Sequence, residues 1–181
     1  MPIRHVDCLS MHIIVRTVMN LIQCFLILLF LPGAKANPTG STIAILLEHR
    51  VLVVKQQNHL EEEILYFVNL HRQGKGLPVL QVNEVESAVA RQHSKNMASG
   101  LAPFSHQGMQ ARISKIKQQI GSISEAGENV AFGQMTAMEV VEQWLRSPAH
   151  KLNVEGNFTL TGIGYARDRK GNIYYTQLFT R

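Results

Sequence analysis

Three polar residues stand out by type and setting. They are His106 in Phe104-Ser105-His106, Glu128 in Gly127-Glu128-Asn129, and His150 in Ser147-Pro148-Ala149-His150. Imidazoles and carboxylates move protons near neutral pH and bind borderline metals such as zinc. Each of the three falls in a short loop or at a helix start, where functional groups tend to sit. Their even spacing along the chain carries no local geometry, so only the fold can bring them together. Ser147-Pro148 reads as a helix opening, with serine at the N-cap and proline in the first turn. His150 would then lie near the positive end of a helix dipole. That position disfavours the imidazolium and leaves a lone pair for a metal or a proton. Ser147, as an N-cap, would place its oxygen on backbone N–H groups, which makes it a poor nucleophile.

Other motifs are absent. The chain has no phosphate loop, no nucleophile elbow, no His-Glu-x-x-His and no Cys-x-x-Cys. Gly162-Ile163-Gly164 lacks the third glycine and the following helix of a dinucleotide site. Hydrophobic residues make up 45% and charged residues 17% of the 181 residues, a globular balance that excludes a largely disordered chain. The net charge is +5, and Arg4, Arg16 and Lys35 against Asp7 supply +2 of it before residue 37. The scattered remainder is no nucleic-acid footprint. Glu61-Glu62-Glu63 reads as a solvated first turn of a helix.

Residues 21–31 form an apolar run that basic residues precede and Pro32-Gly33 ends. Ala34-Lys35-Ala36 then offers small residues for cleavage. This is the pattern of a secretory signal peptide over 1–36, and it predicts a secreted or periplasmic protein with no stable transmembrane anchor after cleavage. A start at Met11 instead of Met1 would give a more ordinary leader. Cys8 and Cys24 both precede the predicted cut, so the mature chain would contain no disulfide.

The elements that must position the three polar groups follow from periodicity. Residues 37–58 form an N-terminal extension that fits a helix or a strand. A helix is expected from about His59 to Arg72, stopped by Gly74 and Gly76. A second begins at Asn83, with Glu86 at capping-box spacing. A short helix over 109–119 precedes a glycine-rich segment, 121–134, with a short strand. Thr136 and Glu139 open another helix, with Met138, Val141, Trp144 and Leu145 on one side. The chain ends in a hairpin, Gly162–Arg167 and Asn172–Thr180. Helices followed by terminal strands predict a layered α/β (α+β) domain with an antiparallel sheet. His93 sits on an apolar helix face and reads as a core histidine. Trp144 reads as core.

Taken in order, several blocks resemble one family. They are Val68-Asn69-Leu70-His71-Arg72, Gly76-Leu77-Pro78-Val79-Leu80, Phe104-Ser105-His106, Gly127-Glu128-Asn129-Val130-Ala131-Phe132-Gly133, Trp144 to His150, and Gly162-Ile163-Gly164-Tyr165 with Tyr175-Thr176-Gln177-Leu178-Phe179. This series is similar to the CAP superfamily of cysteine-rich secretory, antigen 5 and pathogenesis-related proteins, in its bacterial, disulfide-free, SCP-like extracellular branch. The resemblance covers about 62–181, so 59–181 is read as the CAP domain. It implies a three-layer α-β-α sandwich with a central antiparallel sheet and a cleft lined by two histidines and two acids. His106 matches the first histidine, Glu128 the acid of the Gly-Glu-Asn block, and His150 the second histidine. The second acid is replaced by Ser147.

Three functions follow as expectations. The first is a non-catalytic binding module, a monomer, whose cleft takes zinc or another divalent cation on His106, Glu128 and His150, or a small ligand. Asn129, Ser147 and Gln177 are its polar neighbours, with Asn129 fixing the local backbone. The second is a hydrolase of peptide or cell-wall bonds, using a metal-bound water or Ser147 assisted by a histidine. The third is a lipid or sterol carrier. No nucleic-acid partner is expected.

Overall fold

The computed structural model describes residues 38–133 and 135–181. The leader expected over 1–36 lies outside the described residues. Internal contacts divide the chain into a unit ending at Leu47 and a unit from Glu48 to Arg181. The second unit carries the sheet and all that follows. Among the described residues, no helix is long and apolar enough to cross a membrane.

Helix α1 runs from Pro38 to Gly74. The helix expected from His59 is therefore the end of a longer one, and the open stretch 37–58 is helical from Pro38. Glu61 is not solvated as its charge suggests. It is buried and receives two hydrogen bonds from Arg91 Nε at 3.0 Å. Glu62 and Glu63 are exposed. Strand β1 is only Gln81–Val82. Helix α2, Glu84–Ala98, is capped by Asn83, whose side chain accepts from Val85 N and Glu86 N. The reciprocal half of that capping box is missing. Glu86 is turned inward, where Thr180 Oγ1 donates to its Oε1 at 2.6 Å.

Helix α3 spans Met109–Ile120, β2 Ala126–Phe132, and α4 Ala137–Arg146. Thr136 and Glu139 form both bonds of the capping box at the start of α4. Its buried residues are Ala137, Val140, Val141 and Trp144, while Met138 is exposed. The apolar stripe is thus rotated from the face expected. Helix α5 spans Pro148–Val154, and β3 (Leu160–Arg167) and β4 (Ile173–Thr180) complete the chain as the expected hairpin.

The sheet order is β1-β3-β4-β2. Strand β4 pairs antiparallel with both neighbours, and β1 adds two parallel pairs beside β3. Alternation along β4 splits the interior into two cores. Tyr175 and Phe179 join Ile64 and Val68 of α1, Val140 and Trp144 of α4, and Val154 of α5. Leu178 points to the opposite face and meets Val89 and Ala90 of α2 and Ile116 of α3. The result is an α-β-α sandwich whose central strand is covered on both sides.

Gly162-Ile163-Gly164 has a packing role. A Cβ at Gly162 would lie 2.1 Å from Ser87 N, and one at Gly164 would lie 2.2 Å from Arg91 N. These glycines let the backbone of α2 rest directly on β3. Arg72, fully buried, ties the end of α1 to the segment after α5. Its guanidinium donates to the carbonyls of Pro78, Val154, Gly156 and Phe158.

Candidate functional site

Strand β2 pairs with β4 on one side only, so within the sheet it is an edge. Glu128 projects from it toward α3, and its side chain is fully buried. A carboxylate out of water needs compensation, and two groups supply it. His106 Nδ1 donates to Glu128 Oε1 at 2.9 Å. Arg112 of α3 grips the same carboxylate with two prongs, Nε to Oε2 and Nη2 to Oε1, both at 2.7 Å. Such a fork is the strong form of ion pair. Arg112 also donates through Nη1 to the Gln107 carbonyl at 2.9 Å, holding the loop that carries His106.

That loop has a second anchor. His93 of α2 is buried, and its Nε2 donates to the Ser105 carbonyl at 3.1 Å. Burial, and next the charge of Arg112, hold the His93 pKa below the ordinary histidine value. His93 is thus a core histidine whose neutral form burial favours, and it fixes the residue before His106. With Nδ1 committed to Glu128, His106 keeps Nε2 for another partner, and its side chain is 47% exposed.

His150 arrives from the other layer. Asn129, fully buried on β2, donates from Nδ2 to the His150 carbonyl at 3.1 Å. Asn153 of α5 donates to Asn129 Oδ1 at 2.8 Å and to the Glu128 carbonyl at 3.0 Å. These bonds clamp α5 to β2 and set its histidine opposite His106. The two ring centroids are 6.0 Å apart, inclined at 60°. Burial, then the proximity of His106, lower the His150 pKa. The neutral imidazole expected from the helix start is favoured here mainly by desolvation.

The structure therefore brings His106, Glu128 and His150 to one place, but not as three equivalent ligands. Among the described residues, no group of three or more His, Cys, Asp or Glu side chains is arranged to hold a metal. Both Glu128 oxygens are engaged by Arg112 and His106. Ser147 lines a pocket of about 310 Å³ beside His150, together with Phe104, Phe132 and Gln143. It occupies the N-cap position of α5, yet its side chain makes no capping bond. Among the described residues it has no hydrogen bond to either histidine. Gln177 lies in the interior instead, donating from Nε2 to Thr161 Oγ1 at 3.1 Å. Arg112, the strongest partner of Glu128, has no sequence signature, because its role depends on a carboxylate in another element. A buried glutamate demanding a cation is the signal that could have pointed to it.

Comparison with known proteins agrees with this architecture. The model of the cysteine-rich secretory protein family, CAP, matches residues 65–179. An uncharacterized protein of Bacillus subtilis (strain 168), YkwD, is 36% identical over 120 residues, 65% of this chain and 46% of its own. An uncharacterized membrane protein of the same organism, YlbC, is 33% identical over 130 residues, 70% of this chain and 36% of its own. The chain thus spans less than half the length of these curated relatives. An extracellular protein containing an SCP domain from Bacillus anthracis str. Ames superposes with a TM-score of 0.57 at 28% identity, covering 69% of this chain and 41% of that one. An outer surface protein from Borrelia burgdorferi gives a TM-score of 0.56 at 18% identity, covering 65% and 88%, a likeness of fold alone.

Proposed function

The chain belongs to the cysteine-rich secretory protein (CAP) family, and from that premise we propose that it is an exported, non-catalytic binding module. Its working surface is the imidazole pair, His106 and His150, at the outer edge of β2. Export rests on the leader pattern and on the similarity to an extracellular SCP-domain protein. The observation that carries the reading is the facing pair of rings, 6.0 Å apart, with the nearby carboxylate already neutralised.

The donor set fits a divalent cation of zinc type in a restricted way. Two imidazoles are available as ligands, fewer than the three of ordinary catalytic zinc sites. Glu128 fits as the group that orients His106 through Nδ1, an arrangement common behind metal-bound histidines. Such a cation would supply a Lewis-acidic point with open positions for a small polar ligand. His150, whose neutral form burial favours, and His106, oriented by Glu128, are the groups that would hold it. Arg112 keeps the glutamate charge from competing.

Calorimetric titration with zinc chloride tests this, comparing the purified chain with a His106→Ala/His150→Ala variant. Binding that the double variant loses supports the site. Equal binding by both proteins removes it. A second reading draws on Ser147, whose hydroxyl is uncapped and shares the pocket with His150. It would make the protein a hydrolase with a serine nucleophile. Turnover of a peptide or peptidoglycan panel that Ser147→Ala abolishes would favour it over the binding module.

A further inference from the structure

We propose that the trough between the C-terminal part of α2 and the β3–β4 turn binds a linear polymer of sugar or polyol units carrying phosphate. The trough encloses about 830 Å³, more than the pocket beside His150. Four cations line it: Lys95 from α2, and Arg167, Arg169 and Lys170 from the end of β3 and the turn. All four are exposed, and among the described residues none takes part in a salt bridge. The one carboxylate in the lining is committed elsewhere. Asp168 accepts from the backbone N–H groups of Lys170 and Asn172 and from Asn172 Nδ2, which closes the turn. A concave surface with one acid against four cations focuses a positive field.

Charge alone would describe any solvated turn. The second feature is aromatic. Phe132 and Tyr174 line the same trough, with ring centroids 4.7 Å apart. Phe104 completes a triad at 5.9 Å from Phe132 and 6.2 Å from Tyr174. Phe104 and Phe132 are 51% and 42% exposed, so apolar rings are held at the surface beside cations. Ring faces suit the C–H surface of a sugar or polyol, while the two arginines match phosphate oxygens in pairs. The rings are inclined at 51° to 67° and offer no parallel faces for consecutive nucleobases. A recess also suits a chain laid along it better than a bilayer surface. Phe132 lines both the trough and the pocket beside His150, where Phe104 is its neighbour, so a polymer in the trough leads to the imidazole pair.

The test is calorimetric titration of the full chain with poly(glycerol phosphate), run beside neutral dextran, an oligothymidylate and phosphatidylglycerol vesicles. The phosphate polymer is expected to bind best, to weaken as salt is added, and to bind equally well in EDTA, which separates it from the imidazole site. Arg167→Gln/Lys170→Gln is expected to weaken it about tenfold with an unchanged melting temperature, since each exposed ion pair contributes modestly. Phe132→Ala is expected to weaken it without changing its salt dependence. Equal binding by the charge variant, no binding at low salt, or tighter binding of oligothymidylate or vesicles would overturn the proposal.

Discussion

Glu86 gives the sharpest prediction about stability. It lies on α2 with no exposed surface, and among the described residues its carboxyl has one hydrogen bond, from Thr180 Oγ1. Oε2 has no partner among the described residues. Burial pushes the carboxyl from its ordinary 4.5 up to about 7, against the smaller lowering effect of Thr180. The folded protein therefore holds this proton more tightly than the unfolded chain does. The stabilisation is full below the unfolded value and is lost as pH rises through the folded one. The gap between 4.5 and about 7 corresponds to roughly 3 kcal/mol. Glu86→Gln removes the titration and retains a neutral group of similar shape. His93 and His150, with lowered pKa values, gain stability as pH rises, but both proteins share that contribution. The readout is the difference between wild type and variant in urea unfolding, followed through the single tryptophan, Trp144. Near pH 5 the two should be close. By about pH 8 the variant should be ahead by roughly 3 kcal/mol. A difference that stays flat with pH, or that grows in favour of the wild type, would show that the Glu86 carboxyl is not held protonated by the fold.

Arg112→Met should destabilise the protein by about 3–5 kcal/mol, because it strands the buried Glu128 carboxylate; Arg112→Met/Glu128→Leu should recover much of that loss, and a double variant as unstable as the single would contradict it. Arg72→Met removes four hydrogen bonds to carbonyls from a fully buried position and should lower stability by about 3 kcal/mol or more; a change in the urea midpoint equivalent to less than about 1 kcal/mol would show that the strap is dispensable. Gly162→Ala places a methyl group 2.1 Å from the Ser87 backbone nitrogen and should cost about 3 kcal/mol or prevent folding, whereas Gly74→Ala, with nothing within 4 Å, should be tolerated; equal melting temperatures for the two variants would contradict the close approach of α2 to β3.

What the sequence discloses is mainly local or periodic. Thr136 and Glu139 are three residues apart, and their capping box forms as the spacing requires. The β3–β4 hairpin is legible because alternation and turn residues adjoin it. The family blocks lead to the sandwich and to the meeting of His106, Glu128 and His150, which no local spacing implies. Glu86 shows where local reasoning stops. Its distance from Asn83 suits a cap, but Thr180, ninety-four residues away, claims the carboxyl inside the core. Arg112 is hidden for the same reason, since its value lies in a charge buried on another element. Met138 reads as inward because it is apolar, yet the helical phase is set by Val140, Val141 and Trp144 against the sheet. Glu61 reads as outward because it is acidic, and Arg91 draws it in.

In the proposed site, His106 and His150 offer their free imidazole nitrogens to one ligand while Glu128 stays bound to Arg112. Anomalous diffraction from crystals soaked in zinc at mildly alkaline pH tests it most directly. A single peak between the two rings is expected, with the Arg112–Glu128 fork intact. A peak on Glu128 with the fork broken, or no density between the imidazoles at saturating zinc, would contradict it.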